Sequence, residues 1–152
     1  MAIGKVDLVM WTKNSAQTLP ICLKRIDEVI PKEQVNQKII VDGHSSDKTK
    51  EIAEKFGWVV HGQEDISAGI AGAANQCLRY VKSPFFISFE HDIILAREWW
   101  ERIPKYMEDE KVAVAQGIRF PTHPVLRKFY EYSERDLVPV SYTHLTLPTN
   151  RE

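Results

Sequence analysis

Lys38-Ile39-Ile40-Val41-Asp42-Gly43-His44-Ser45-Ser46-Asp47 runs from three consecutive β-branched apolar residues into a cluster of turn formers. A short apolar run without polar alternation reads as a strand buried on both faces. Thr49 to Phe56 follows as a helix with Ile52, Ala53 and Phe56 inward, and Gly57 ends it. The same alternation extends both ways. Upstream, Val6 to Trp11 is a strand candidate and Thr12-Lys13-Asn14-Ser15 a polar turn. Leu19, Cys22, Leu23, Ile26, Val29 and Ile30 then recur at helical spacing. Ser15 or Thr18 can cap that helix, Pro20 is tolerated in its first turn, and Pro31 ends it.

Downstream, Trp58 to His61 reads as a third strand and Gly69 to Val81 as a helix rich in small residues. Phe85 to Phe89 is a fourth strand, ending at Glu90-His91-Asp92. Arg97 to Glu108 reads as a helix that Pro104 should bend or break. Val112 to Gln116 is a fifth strand candidate and Val125 to Arg135 a further helical stretch. Strands alternating with helices across short turns predict an α/β, Rossmann-like open sheet, mainly parallel, with helices on both faces. Ligands of such sheets bind beyond the carboxyl ends of the strands. There the sequence offers Thr12 and Asn14, Asp42 and His44, and Glu90 and Asp92.

The chain has 152 residues, enough for one core, with 43% hydrophobic and 27% charged residues. A net charge of -1 provides no basic field for nucleic acid. Cys22 and Cys77 lack metal-like spacing and read as reduced, buried helix residues, which points to the cytoplasm. No apolar run approaches the roughly 20 residues of a membrane helix. A longer parent protein would still allow a place at the inner face of a membrane. Leu137 to Asn150 carries no charge besides His144 and resembles translated cloning adapter. The folded part is therefore expected over residues 1–136, with 137–152 a non-native or disordered tail.

The chemistry concentrates in Phe86-Ile87-Ser88-Phe89-Glu90-His91-Asp92. Residues i and i+2 at a strand end point to one side, so Glu90 and Asp92 can form a hard-oxygen site for Mg²⁺ or Mn²⁺. Such an ion holds two phosphates and stabilises a departing diphosphate. Standing alone, an acid-x-acid pair more often means a solvated turn.

Three further stretches resemble family 2 glycosyltransferases. Ile39 to Thr49 is similar to their second strand and its Asp-containing turn. Val9-Met10-Trp11-Thr12-Lys13-Asn14 resembles their first strand and Thr-x-Asn turn. Gly69-Ile70-Ala71-Gly72-Ala73-Ala74-Asn75 resembles their Gly-Ile-x-x-Ala-x-Asn helix, and Glu90-His91-Asp92 stands where they carry Asp-x-Asp. The four motifs keep the family's order over roughly residues 5 to 120.

The resemblance implies a GT-A type fold, here incomplete at its C-terminus, and a metal-dependent, inverting transfer of sugar from a nucleotide-diphosphate donor. The acceptor, whether glycan, lipid or protein, is not implied. Thr12 and Asp42 would line the base pocket, and Asn14 belongs to the same donor-binding set. Gly69 and Asn75 would sit beside the diphosphate or sugar. Asp92 would bind the metal, and Glu90 the ribose or the metal. The bland reading of Asp42 is a turn-stabilising hydrogen bond, and of Asp47 a helix cap. His91, between the acids, should point away from them. Trp99 and Trp100 could stack on a sugar, although helix core suits at least one of them.

Four positions depart from the family: Glu90 for Asp, Ser67 for a common Asp, and Trp11 and Lys13 for Pro and Tyr. The family's later motifs, including its catalytic base, have no match after Gln116. Glu134 and Asp136 read as a solvated helix end, so no base is named. Two rivals stand beside this reading: a non-catalytic nucleotide-binding module, and a nucleotidyltransferase, which the Gly-free turn from Thr12 to Thr18 disfavours.

Overall fold

A computed structural model of the chain describes residues 4–117, 121, 123–126 and 128. The chain divides into two compact units at Glu101/Arg102. The first unit alternates strand and helix: β1 (Val6–Thr12), α1 (Leu19–Val29), β2 (Val35–Asp42), α2 (Thr49–Lys55), β3 (Val59–Gly62), α3 (Gly69–Arg79) and β4 (Phe86–Glu90). Helix α4 (Trp99–Arg102) crosses the division.

The four strands form one parallel sheet in the order β3-β2-β1-β4. The chain thus moves outward from β1 to β3, then returns past β1 to lay down β4. The switch in direction lies between β1 and β4, where an open sheet leaves a crevice at its carboxyl edge.

Both sheet faces are covered. Leu8 and Met10 of β1 and Ile40 of β2 meet Leu19, Cys22, Leu23 and Ile26 of α1 and Ala53 of α2 in one core. On the other face Val9, Ile39 and Val41 meet Ala73 and Cys77 of α3. The alternation of neighbouring β1 residues between the two cores is the period-2 geometry of a strand. Being buried on both sides, β1 and the Ile39–Val41 run of β2 show no polar alternation in sequence. Asp7 is the exception within β1 and is fully buried. Asn36 Nδ2 (2.8 Å), Gln37 Nε2 (2.7 Å), the Lys82 and Ser83 backbone N–H groups (2.5 and 3.0 Å) and Ser83 Oγ (2.8 Å) all donate to its carboxylate. Burial alone would raise this carboxyl, but those bonds hold it far below the ordinary carboxylate range.

Strand and helix positions follow the sequence reading, with shifts of a few residues at their ends. Three expectations are corrected. Neither Ser15 nor Thr18 caps α1 through its side chain, because Ser15 Oγ donates to Lys13 O and Thr18 Oγ1 is held by Ser15 O and His91. Val112 to Gln116 is not a strand. Ala113 and Val114 are exposed there, and an apolar run becomes a strand only where an edge supplies ladder partners. The long helix expected from Arg97 is only α4, four residues, followed by a 3₁₀ segment, Pro104–Glu108. Pro104 has no N–H to continue the ladder, which fits the expected break. Glu134, Asp136, the tail from 137, and most of the helical stretch from Val125 lie outside the described residues, although Val125, Leu126 and Lys128 are helical. Among the described residues no helix is long and apolar enough to cross a membrane.

Candidate functional site

A cleft of about 490 Å³ opens at the carboxyl edge of the sheet. Each strand delivers residues to it. Trp11, Thr12 and Lys13 come from the end of β1, Gly43 from the end of β2 and Gln63 from the end of β3. Glu90, His91 and Asp92 come from the end of β4, and Gly69, Ile70 and Ala73 from α3, with Ile66 in the turn before it. Ile66 and Ile70 are 51% and 73% exposed, so this rim is apolar and open.

The two loops at the ends of β1 and β2 are tied together. Asn14 adopts a φ of 50°, its N–H donates to Ser45 Oγ (2.8 Å), and its Oδ1 accepts from Ser46 N (2.9 Å). Ser15 N donates to Thr49 Oγ1 (2.7 Å), and Ala16 N to Asp47 Oδ2 (3.0 Å). Asp47 Oδ1 also accepts from the N–H and hydroxyl of Thr49 at the start of α2. The Thr49 hydroxyl bond leads the forces that lower the Asp47 carboxyl below its usual range. Asp47 therefore serves the helix start, the role expected of it.

Asp42 is fully buried. Its Oδ1 accepts from Thr12 Oγ1 (3.3 Å) and Ser45 Oγ (2.5 Å), its Oδ2 from Ser45 N (2.8 Å), and Lys50 Nζ lies 3.6 Å from Oδ2. These contacts match the turn-stabilising reading of Asp42. Of the residues singled out from the sequence, Thr12, Gly69, Glu90 and Asp92 line the cleft, whereas Asn14, Asp42 and Asn75 do not. Asn75 lies about 200° around α3 from Ala73 and is exposed on another side. His91 lines the cleft while its Nδ1 meets Thr18 Oγ1 at 3.2 Å, so it turns only partly away from the acids. Trp99 and Trp100 pack against the core beside Phe89 rather than on the cleft.

Sequence reasoning missed Gln63, Ile66 and Ile70. Gln63 is marked only by directly following a strand and Ile66 by preceding α3, while Ile70 stands inside the Gly69–Asn75 motif without a role of its own.

Beneath the acids, Cys22 Sγ donates to Glu90 O at 3.5 Å. Burial, with the Asp92 charge adding to it, pushes this thiol up to about 11, and burial raises Cys77 to about 11 as well. Both cysteines are free and buried in helices, as expected. Among the described residues no three His, Cys, Asp or Glu side chains converge to hold a metal on protein ligands alone. Glu90 and Asp92 bring two carboxylates, the oxygen ligands that hard cations take, to the same cleft.

Comparison with curated proteins found no match. Among solved structures the chain is similar to S. aureus TarS residues 1–349, with TM-score 0.61 and 21% identity over 76% of this chain and 38% of that one. It is similar to the mannosyltransferase PcManGT of Pyrobaculum calidifontis, solved with GDP-Man and Mn²⁺, with TM-score 0.64 and 21% identity over 72% and 34%. It is also similar to glucosyl-3-phosphoglycerate synthase of Mycobacterium tuberculosis, solved with Mn²⁺, UDP and glucosyl-3-phosphoglycerate, with TM-score 0.62 and 17% identity over 72% and 42%. The chain thus spans less than half the length of these structures, and the likeness establishes the GT-A type, Rossmann-like fold. The profile of glycosyl transferase family 2 matches residues 7–149, nearly the whole sequence. This chain belongs to glycosyl transferase family 2.

Proposed function

We propose that this chain forms the donor side of a metal-dependent, inverting glycosyl transfer, binding a nucleotide-diphosphate sugar with Mg²⁺ or Mn²⁺. The observation that carries this is the convergence of Glu90 and Asp92 with Thr12 and Gly69 on one cleft beyond the ends of parallel strands. Glu90 and Asp92 would hold the ion, which when bound neutralises charge on the diphosphate. Gly69 brings bare backbone to the cleft: its φ of 58° with ψ of -148° belongs to glycine, and a Cβ there would meet nothing within 4 Å. Thr12 borders the donor directly. Asn14 and Asp42 act one step back, holding the loops that carry Lys13 and Gly43. Asn75 is left without a place beside the donor. The acceptor is a glycan, lipid or protein hydroxyl.

The test is thermal stabilisation by nucleoside diphosphates with and without Mn²⁺, followed by donor hydrolysis. Stabilisation that requires Mn²⁺ is expected. Asp92→Asn should weaken Mn²⁺-dependent nucleotide binding by about tenfold or more, on the scale of a lost charged metal contact. Unchanged binding with an unchanged manganese requirement would remove the metal assignment.

A second reading is binding without turnover. Its ground is that Thr12, Gly69, Glu90 and Asp92, the cleft residues given roles above, would all act on the donor and its ion. Mn²⁺-dependent binding without any donor hydrolysis or transfer supports that reading.

A further inference from the structure

Gln63 directly follows β3, lines the cleft, and is only 7% exposed. Its Nε2 donates to two backbone carbonyls, Asp65 O and Gly69 O, each at 2.8 Å. Both amide protons are thus used, and a flipped amide would set oxygen against oxygen. Oε1 is therefore held as an acceptor, and no described residue donates to it. Nor is it sealed from solvent, since Trp58 Nε1 is the one enclosed, unpartnered side-chain polar atom among the described residues. A Cβ at Gly43 would stand 3.4 Å from Oε1, so the missing side chain there keeps the oxygen open to the cleft.

The sheet order decides which part of a ligand meets this oxygen. Strand β3 lies three strand spacings from β4, about 14 Å at the usual separation. If the acids at β4 hold the diphosphate, the base end of an extended nucleotide falls beside Gln63. Asp42, which the family resemblance sets in the base pocket, is enclosed with both oxygens engaged.

We propose that Gln63 is a specificity-determining residue for the donor base, its Oε1 accepting the ring N–H of a uracil or guanine. Adenine and cytosine carry no such ring donor. This rests on the donor-binding reading above and adds to it the class of base. A buried acceptor left unpaired is costly, so a site of this kind rejects analogues that lack the donor.

The experiment is calorimetric titration of the full chain, with Mn²⁺, using UDP, GDP, CDP, ADP, N3-methyl-UDP and N1-methyl-GDP. UDP or GDP should bind best, and its N-methyl derivative and both CDP and ADP should bind about tenfold more weakly or worse. Gln63→Leu, with its fold checked by melting, should shrink that discrimination to about threefold or less. Methylated and parent nucleotides binding alike, or a Gln63→Leu protein that still discriminates, overturns the role of Gln63 alone. If Gln63→Leu does not fold, the methylated ligands decide on the unaltered chain. Failure of every nucleoside diphosphate to bind overturns the donor-binding reading itself.

Discussion

Asp7 shows how a single carboxylate can sit in a strand whose neighbours are apolar. Five donors meet it, from β2 and from the loop before β4, so its burial leaves no lone pair stranded. It lies at the end of β1 away from the cleft, so its effect is on stability. Asp7→Asn places an amide N–H₂ against those donors and should cost about 1–3 kcal/mol, read by urea denaturation. The pH dependence follows from the same bonds. A carboxyl lowered in the folded state contributes stability that is complete above its unfolded value, about 3.9, and is lost as pH falls toward the folded value. The fall in melting temperature on acidification below that value should therefore be smaller in Asp7→Asn than in the parent chain. Cys22 and Cys77, with thiols raised to about 11, should resist a thiol reagent at pH 8 until the chain unfolds. Rapid labelling of the native chain would show that the helices open locally.

At the scale of elements, the loops after β1 and β2 behave as one unit. Thr49 is fully buried at the first turn of α2, accepting from Ser15 N and donating to Asp47. Thr49→Val keeps the shape but strands the Ser15 N–H, at a cost of about 1–3 kcal/mol in denaturant unfolding. The loop residues carrying Lys13 and Gly43 should loosen with it, seen as weaker nucleotide binding. Helix α3 shows a different constraint. A Cβ at Gly72 would come within 2.4 Å of the Ala68 Cβ, a backbone-anchored atom that cannot swing aside. Gly72→Ala should therefore destabilise by about 1–3 kcal/mol, despite alanine's better helix propensity. A rise in stability would mean that the turn before α3 yields freely. The small residues of that helix were legible in the sequence as a sign of close approach. Which glycine is pressed, and by what, was not, because it depends on how Ile66–Ala68 enters the helix.

For the first unit taken whole, the order β3-β2-β1-β4 turns four strand ends into one cleft. Leu23, fully buried between α1 and the sheet, tests whether the core that supports the cleft is tightly packed. Leu23→Ala should cost about 2–5 kcal/mol by the usual penalty for an unfilled core site. Nucleotide binding by the fraction still folded should be nearly unchanged.

Four strands, three intervening helices and the acid pair at the end of β4 could be read from the chain alone. Runs of Val and Ile, helical spacing and turn residues are local signals, and local backbone sterics act on them directly. Tertiary structure decided the rest. Asp42, Asn14 and Asn75 stand in stretches similar to binding motifs, yet hydrogen bonding between loops encloses the first, ties the second, and helix phase turns the third outward. Val112 to Gln116 has a strand's composition without a ladder, because pairing is a property of two segments and not of one. Gln63 has no local mark beyond its place directly after a strand. Its orientation is set by carbonyls two and six residues on and its openness by a glycine twenty residues back, distances that only the folded chain brings together.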